Sequence, residues 1–296
     1  MSTQSEPERP DYPALYEAAN NASLRSQKAY LNGMRWYIIL TVTAAFLSIY
    51  IKESTEAGIF ASILFLAVLG LTIFQAVKRY DRIWYNGRAV AESVKTRTWR
   101  FIMRAEPYSD CDNIDSVKKE FCNDLKEILE QNRTLGESLT HESVINETIT
   151  ENMLKIRSLN YTERLNYYIT NRINEQRAWY FNKASKNKKN ARNWFISLVL
   201  VNSVIVGLLL VEIGYQIYYL PTAGLMVIGS CILTWMQIKR YQDLATSYSL
   251  TAHEIGIIKS QNFQVIDEKT LSDYVKDAEN AFSREHTQWV ARKDRQ

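Results

Sequence analysis

The stretch that decides the fold is "GIFASILFLAVLGLTIFQAVKRY", residues 58–80. Its apolar part, 58–77, contains no charged side chain, and two cations follow it. A helix of about 20 mostly apolar residues is long enough to cross roughly 30 Å of hydrocarbon. Comparable uncharged runs occupy 36–51, 194–211 and 217–238. Because four such runs in paired order do not suit the core of a soluble protein, we predict four transmembrane helices.

The four runs form two hairpins whose ends differ in charge. Short joints, 52–57 and 212–216, connect the runs within each pair, and both joints are acidic on balance. The opposite ends of the runs are basic: Arg35, Lys78, Arg79, Arg82, Lys183, Lys186, Lys188, Lys189, Arg192, Lys239 and Arg240. Since positive flanks stay on the cytoplasmic side, we expect both termini and the long middle segment to be cytoplasmic. Residues 1–13 lack the pattern of a signal peptide, so the first span is expected to remain as an anchor.

The two hairpins are copies of one pattern. "KRY" follows the second run at 78–80 and the fourth at 239–241, and an Ala beside polar residues follows each at the same distance. We interpret the chain as two parallel copies of helix–span–span–helix. The predicted fold class is an all-α integral membrane protein with two tandem two-span hairpins and long cytoplasmic helices.

The cytoplasmic segments also show helical periodicity. Apolar residues recur at helical spacing between 114 and 129, and the acidic stretch before them favours a helix start. Residues 162–181 contain neither Gly nor Pro and should continue into the third span as one long helix. The predicted division is a first two-span domain at 1–106, a helical linker region at 107–155 and a second two-span domain at 156–296.

Several functional classes lack support in the sequence. The net charge of +4 and the absence of nucleic-acid-binding motifs argue against a nucleic-acid partner. The three cysteines and three histidines have no metal-ligand spacing, so we expect no metal and no cofactor. No phosphate-binding glycine loop or nucleophile motif is present, and we expect no catalytic residues and no enzymatic activity. The spans carry no ionisable side chain, which disfavours an ion-coupled transporter.

Polar but uncharged residues within the spans allow two interpretations. The pore-lining candidates are Thr72, Gln75, Asn202, Ser230, Thr234 and Gln237. Such residues commonly mediate helix–helix packing, but in an oligomer they can also line a water-filled path. Four spans cannot enclose a useful lumen alone, so conduction would require several copies in a closed ring. The acidic joint residues Glu53, Glu56 and Glu212 are either ordinary solvated turns or a cation-favouring ring at the outer mouth.

An ordered polar stripe follows the second run, in "WYNGRAVAESVKTRTWRF", residues 84–101. Helical spacing places five of its side chains on one face: Trp84, Arg88, Glu92, Lys95 and Trp99. The second copy has a similar mixture on its terminal helix: Glu279, Arg284, Glu285, His286 and Trp289. Exposed ion pairs on a helix contribute only a few tenths of a kcal/mol, about 0.2–0.5 each. We therefore expect these helices to dock onto the other repeat or a neighbouring subunit and hold the spans closed.

The stripe and its surroundings resemble a known family. Residues 12–31, the 84–108 segment and the second-half stretches 165–193 and 277–294 are similar to the SLATT family of two-membrane-span effector domains. The resemblance implies a tandem arrangement of two family domains in a bacterial inner membrane, acting in anti-phage defence. It also implies an oligomeric pore or channel that is released by a separate nucleotide-signalling or sensor protein. The alternative is a non-conducting membrane scaffold or sensor that recruits a partner through its cytoplasmic helices.

Overall fold

The computed structural model describes residues 10–51, 54–109, 113–139, 147–215 and 220–293, with the backbone alone at 134, 137, 138 and 284–293. Its α-helices are α1 (Ala14–Ser48), α2 (Thr55–Lys78), α3 (Tyr80–Ile102), α4 (Ile114–Gln131), α5 (Glu151–Arg157), α6 (Tyr161–Tyr168), α7 (Glu175–Tyr215), α8 (Thr222–Lys239), α9 (Tyr241–Ser260) and α10 (Glu268–Lys293). A π-helical turn, Ile169–Asn174, joins α6 to α7, and short 3-10 helices occupy Arg133–Ser138 and Gln261–Gln264. Within these described ranges every regular element is helical, as predicted.

One compact unit contains the apolar runs, in residues 28–80 and 183–246. In the part of the chain that the structure describes, three helical stretches are long and apolar enough to cross a membrane: Thr55–Ile102, Tyr161–Tyr215 and Thr222–Gln264. The run at 36–51 forms the last part of α1 and the turn after it, and is not among those three. Large apolar side chains along α2 and α7 are exposed, such as Leu66 and Leu200. Outward apolar side chains at this density suit a bilayer rather than water.

Small residues allow the helices of this membrane unit to approach closely. A Cβ at Gly224 of α8 would lie 2.9 Å from Cζ of Phe46 on α1. A Cβ at Gly33 of α1 would lie 3.0 Å from Cδ of Gln75 on α2. Without a water-based hydrophobic force between helices, such close packing is what holds a membrane bundle together.

The internal repeat is visible in the backbone. Arg79 ends α2 with φ 46°, and Arg240 ends α8 with φ 47°. Both are left-handed, a conformation that is uncommon for a residue with a Cβ. In each copy the next residue, Tyr80 or Tyr241, begins a new helix. The two "KRY" stretches therefore have the same local structure, which supports the repeat predicted from their letters.

The second compact unit is helical and contains 10–27, 81–182 and 247–293 of the described residues. The predicted helix start before residue 114 is confirmed, because the Asn113 side chain accepts a hydrogen bond from the backbone N–H of Asp115. One face of α4 carries Phe121, which is fully buried and stacks on Phe101 of α3 with centroids 4.6 Å apart. Residues 107–155, predicted as a linker region, thus contribute a packed helix to the core of this unit.

The helical run from Tyr161 to Tyr215 is continuous, as expected for the approach to the third span. Periodicity did not predict the π turn within it, at Ile169–Asn174. Such turns occur mostly as single interruptions of α-helices and are frequent at functional sites. The turn directly precedes α7, which is 41 residues long and ends as the third apolar run.

Candidate functional site

The centre of the helical unit is a buried ion pair between the π turn and α10. Arg172 is 1% exposed and Glu279 is 0% exposed. Nε of Arg172 donates to Oε1 of Glu279 at 2.8 Å, and Nη2 donates to Oε2 at 2.7 Å. Arginine forms such two-pronged bonds because its guanidinium is a planar fork that matches a carboxylate.

Two further donors complete the carboxylate of Glu279. The hydroxyl of Tyr168, in α6, donates to Oε1 at 2.8 Å. The hydroxyl of Thr96, in α3, donates to Oε2 at 3.0 Å. Each carboxylate oxygen therefore accepts two hydrogen bonds, and all the donor side chains lie far from Glu279 in sequence. This buried charge cluster, defined as Thr96, Tyr168, Arg172 and Glu279, connects α3, the π turn and α10.

Aromatic rings enclose the guanidinium of Arg172. Its Cζ lies 4.7 Å from the ring centroid of Phe282 and 5.8 Å from that of Trp99. Burial by itself lowers the pKa of Arg172, but the charge and hydrogen bonds of Glu279 outweigh it and hold the pKa above its ordinary value. Burial, with the nearby negative charge of Glu279, raises the pKa of the Tyr168 phenol well above its ordinary value. The cluster therefore keeps a charged guanidinium and a neutral phenol.

The predicted stripe on α3 is partly buried against the beginning of the chain. Nε1 of Trp99 donates to the Tyr12 hydroxyl at 3.1 Å, and Nζ of Lys95 lies 5.9 Å from the centroid of the Tyr12 ring. Arg88 and Glu92 form their i,i+4 ion pair at 2.6 Å. The Trp84 carbonyl accepts a hydrogen bond from Ser23 of α1 at 2.9 Å. Most of this face thus packs on its own repeat, and Trp99 also contacts the second repeat, with its ring centroid 5.5 Å from that of Tyr168. The expectation that the face holds the spans closed stays a prediction.

Thr96, the residue after Lys95 on α3, makes a further contact with the second repeat through its hydrogen bond to Glu279. Glu279 was among the sequence candidates, but Arg172 and Tyr168 were not. A single arginine in a charged helical stretch carries no signal that distinguishes it from its solvated neighbours. The remaining terminal-helix candidates have side chains that lie outside the described residues: Arg284, Glu285, His286 and Trp289.

Two more buried arginines attach the segment before the π turn to the end of α3. Arg157 donates to the carbonyls of Phe101 and Tyr108. Arg164 donates to the carbonyl of Met103 at 2.7 Å and pairs with Glu268. The last carbonyls of a helix have no partner within it and carry partial negative charge, so a guanidinium is a favourable cap.

The pore-lining candidates occupy different environments in the membrane unit. The side chain of Gln75 packs over Gly33, and its Oε1 is buried without a hydrogen-bond partner. Thr72 and Asn202 are exposed and bond to carbonyls of their own helices, at Val68 and Leu198. On α8, Ser230 and Gln237 are exposed and Thr234 is partly exposed. Spacings of four and three residues place these three on one face.

The acidic joint candidates are only partly described. Glu56 lies in the exposed first turn of α2, and Glu212 is partly exposed near the end of α7. Glu53 lies outside the described residues. Among the described residues, no group of three or more His, Cys, Asp or Glu side chains is placed to hold a metal ion.

The fold and these contacts define an all-α membrane protein whose apolar helices continue into a packed, charged helical unit. Residues 13–165 match the family model "SMODS and SLOG-associating 2TM effector domain 3", and residues 168–289 match "SMODS and SLOG-associating 2TM effector domain 1". The chain belongs to the SLATT family and carries two of its domains in tandem. Two two-transmembrane domains account for both hairpins, including the run at 36–51. Searches of the curated proteins and of the solved structures found no match.

Family membership establishes the general role of the protein, although not the pore that the sequence resemblance implied. The matched models describe effector domains that are associated with defence systems, so the chain has the role of a membrane effector. The first match extends to residue 165, well beyond the predicted first domain at 1–106. The division into 1–106, 107–155 and 156–296 stays a prediction.

Proposed function

We propose that the protein is a bacterial inner-membrane effector of anti-phage defence that assembles into a homo-oligomer and opens a pore or channel when triggered. It acts without enzymatic chemistry or a cofactor. The trigger comes from a separate nucleotide-signalling or sensor protein that acts on the helical unit. Ion flow through the open assembly then dissipates the membrane potential of the infected cell.

The observation that carries this proposal is the exposed polar face of α8. Ser230, Thr234 and Gln237 lie on a helix that is otherwise apolar and long enough to span a membrane. A primary amide facing lipid is costly, because hydrocarbon offers it no hydrogen-bond partner. A neighbouring subunit or a water-filled path removes that cost, and both require several copies of the chain. Exposed Asn202 on α7 presents the same problem and has the same solution.

The composition of the two compact units supports the proposed orientation. Most of the chain that the basic flanks assign to the cytoplasm falls in one unit, namely 10–27, 81–182 and 247–293, while the basic flanks next to the spans fall in the other. The segments between them, 28–80 and 183–246, form the other. A membrane topology with both termini and the middle segment on one side would produce this division.

A non-conducting scaffold is the second candidate, and exposed apolar side chains favour it. The helical unit exposes large apolar side chains outside the four predicted spans: Phe181, Leu250, Ile257, Phe263 and Ile266. Exposed apolar side chains that form a contiguous patch are typical of surfaces that bind another protein. A scaffold would use them to recruit its partner and would need no path for ions.

Ion flux separates the two candidates. The full-length protein is reconstituted in liposomes that contain a potential-sensitive dye, and wild type is compared with Gln237→Leu and Gln75→Met. Once the assembly is triggered, we expect flux in the wild type and a marked loss of it in Gln237→Leu, because the amide on the exposed face is gone. Gln75→Met should conduct like wild type, since Gln75 packs inside the bundle. A purified oligomer that passes no ion under any activator contradicts the pore. Flux that ignores both substitutions contradicts the assignment of Gln237 to its lining.

A further inference from the structure

The π turn at Ile169–Asn174 lies within the buried charge cluster, and the cluster can explain why the turn is present. The run from 161 to 206 contains neither Gly nor Pro, so nothing in it prevents an uninterrupted α-helix. A π turn is rare because its i→i+5 hydrogen bonds accommodate one residue more than the α-helical ladder. A force from outside the helix must therefore keep the extra residue in place.

Glu279 supplies that force from α10. Tyr168 precedes the turn and Arg172 lies inside it, yet both donate to the same oxygen, Oε1, at 2.8 Å. The carboxylate thereby fixes the position of Arg172, inside the turn, relative to Tyr168, which precedes it. Thr96 of α3 donates to the other oxygen and anchors the carboxylate to the first repeat.

In the Arg172–Glu279 pair, the carboxylate has all its hydrogen bonds, but the guanidinium does not. Four donors satisfy the carboxylate of Glu279, whereas Nη1 of Arg172 is buried without a hydrogen-bond partner. Buried ion pairs offset their desolvation only when geometry and hydrogen bonding are both good, and losing one partner leaves an uncompensated charge. Removing the carboxylate would therefore leave the buried guanidinium of Arg172 as an uncompensated charge beside the π turn.

We propose that Glu279 holds the π turn through Arg172, and that its withdrawal converts the turn to α-helix and rotates α7 about its axis. When the turn becomes α-helical, the extra residue joins the regular helix. Each residue of α7 then moves to the position that the next residue in the sequence occupied before. The rotation is about 100°, the angle between neighbouring residues of an α-helix. Since α7 is continuous to Tyr215, the rotation reaches the third span. This inference deepens the proposed function, because it assigns the step by which the effector is released.

Two neighbouring residues of α7 report this rotation. Tyr180 is 2% exposed, and Phe181 is 67% exposed. After the rotation, residue 180 takes the exposed place of Phe181, and residue 181 takes the place of Asn182, which is also exposed. A cysteine at 180 should therefore change from protected to reactive, while a cysteine at 181 stays reactive in both states.

Maleimide labelling of the full-length protein in detergent tests the inference. The background has Cys111→Ser, Cys122→Ser and Cys231→Ser, with Tyr180→Cys or Phe181→Cys as the reporter. We expect Glu279→Gln to raise the labelling rate of Tyr180→Cys to that of Phe181→Cys. The matched control is Glu268→Gln, which also removes an arginine partner but lies away from the turn and is half exposed. It should leave Tyr180→Cys protected.

Deleting Asn174 distinguishes rotation from unfolding. The deletion removes the extra residue, so an α-helix forms while α7 keeps its native face, and Tyr180→Cys should stay protected. Adding Glu279→Gln to this deletion should then expose nothing further. Labelling of Tyr180→Cys in both backgrounds would mean that Glu279→Gln unfolds the unit, and protection in both would mean that no rotation occurs. Either result overturns the inference. Because labelling measures the turn without ion flux, it can fail or succeed independently of the pore.

Discussion

Gly87 sets the distance between α3 and the first part of α1. A Cβ at this position would lie 2.9 Å from the backbone carbonyl oxygen of Ala19 and 3.1 Å from the backbone nitrogen of Ser23. Neither backbone atom can move without displacing the helix. We expect Gly87→Ala to destabilise the helical unit by about 1–3 kcal/mol, the typical cost of overpacking. A lower melting temperature in detergent, followed by circular dichroism, would reveal this.

The control for that substitution is Gly256→Ala. A Cβ there would meet only side-chain atoms of Arg177, at 3.7 Å or more, which is ordinary contact. Alanine also favours a helix by up to about 1 kcal/mol relative to glycine. The melting temperature of Gly256→Ala should therefore equal or exceed that of wild type. Equal effects from the two substitutions would refute the proposed role of Gly87.

Lys95 gives the helical unit a specific pH dependence. Burial, with the positive charge of Arg172, lowers the pKa of Lys95 to about 8. In the unfolded chain a lysine has its ordinary pKa of about 10.4. Between these values the unfolded state binds more protons than the folded state, so stability rises with pH across this window. Below pH 8 both states are protonated and the destabilisation by the buried charge is complete.

The test compares melting temperatures at pH 7.5 and pH 9.5 in wild type and Lys95→Met. Because methionine has no proton to lose, the increase in stability with pH should be smaller in the variant than in wild type. Taking the difference cancels the contribution of every other titrating group. Identical pH profiles would show that the Lys95 ammonium is not desolvated.

At the scale of elements, periodicity predicted the helices and charge predicted their pairing. The start of α4 and the long helix into the third span follow from residues that are adjacent in sequence. The π turn could not be predicted in this way, because one extra residue in a helix leaves no local pattern in the amino-acid sequence. The pairing of Arg172 with Glu279 could not either, since it depends on which helix faces bring residues 107 positions apart together.

The left-handed residue at the end of α2 makes a prediction of its own. Arg79 has φ 46°, where a side chain costs about 1–2 kcal/mol and glycine costs little. We expect Arg79→Gly to raise the melting temperature in detergent. Lys78→Gly removes the same charge one residue earlier, inside the helix, and should lower the melting temperature by removing a helix former. A decrease in both variants would show that the charge matters more than the backbone.

For the whole molecule, the proposed topology places α4 and the joint between the first two spans on opposite sides of the membrane. Cys122 of α4 is exposed and Cys231 is buried, so a membrane-impermeant maleimide can test this directly. In a Cys111→Ser background, Cys122 should react only after the inner membrane is permeabilised. Glu56→Cys, in a chain without the native cysteines, should react in intact spheroplasts. Reaction of Cys122 in intact spheroplasts would invert the topology.

The tandem arrangement has a consequence for inheritance. The first family match contributes Thr96 and Arg164, and the second contributes Arg172, Glu268 and Glu279, to contacts within one compact unit. The first half alone would lose Glu268, the counter-charge of buried Arg164, and the second half alone would lose the Thr96 hydroxyl that donates to buried Glu279. We therefore expect chimaeras that take only one half from a relative to fold less well than chimaeras that take both. The coding sequence for both domains should therefore be inherited as a single unit.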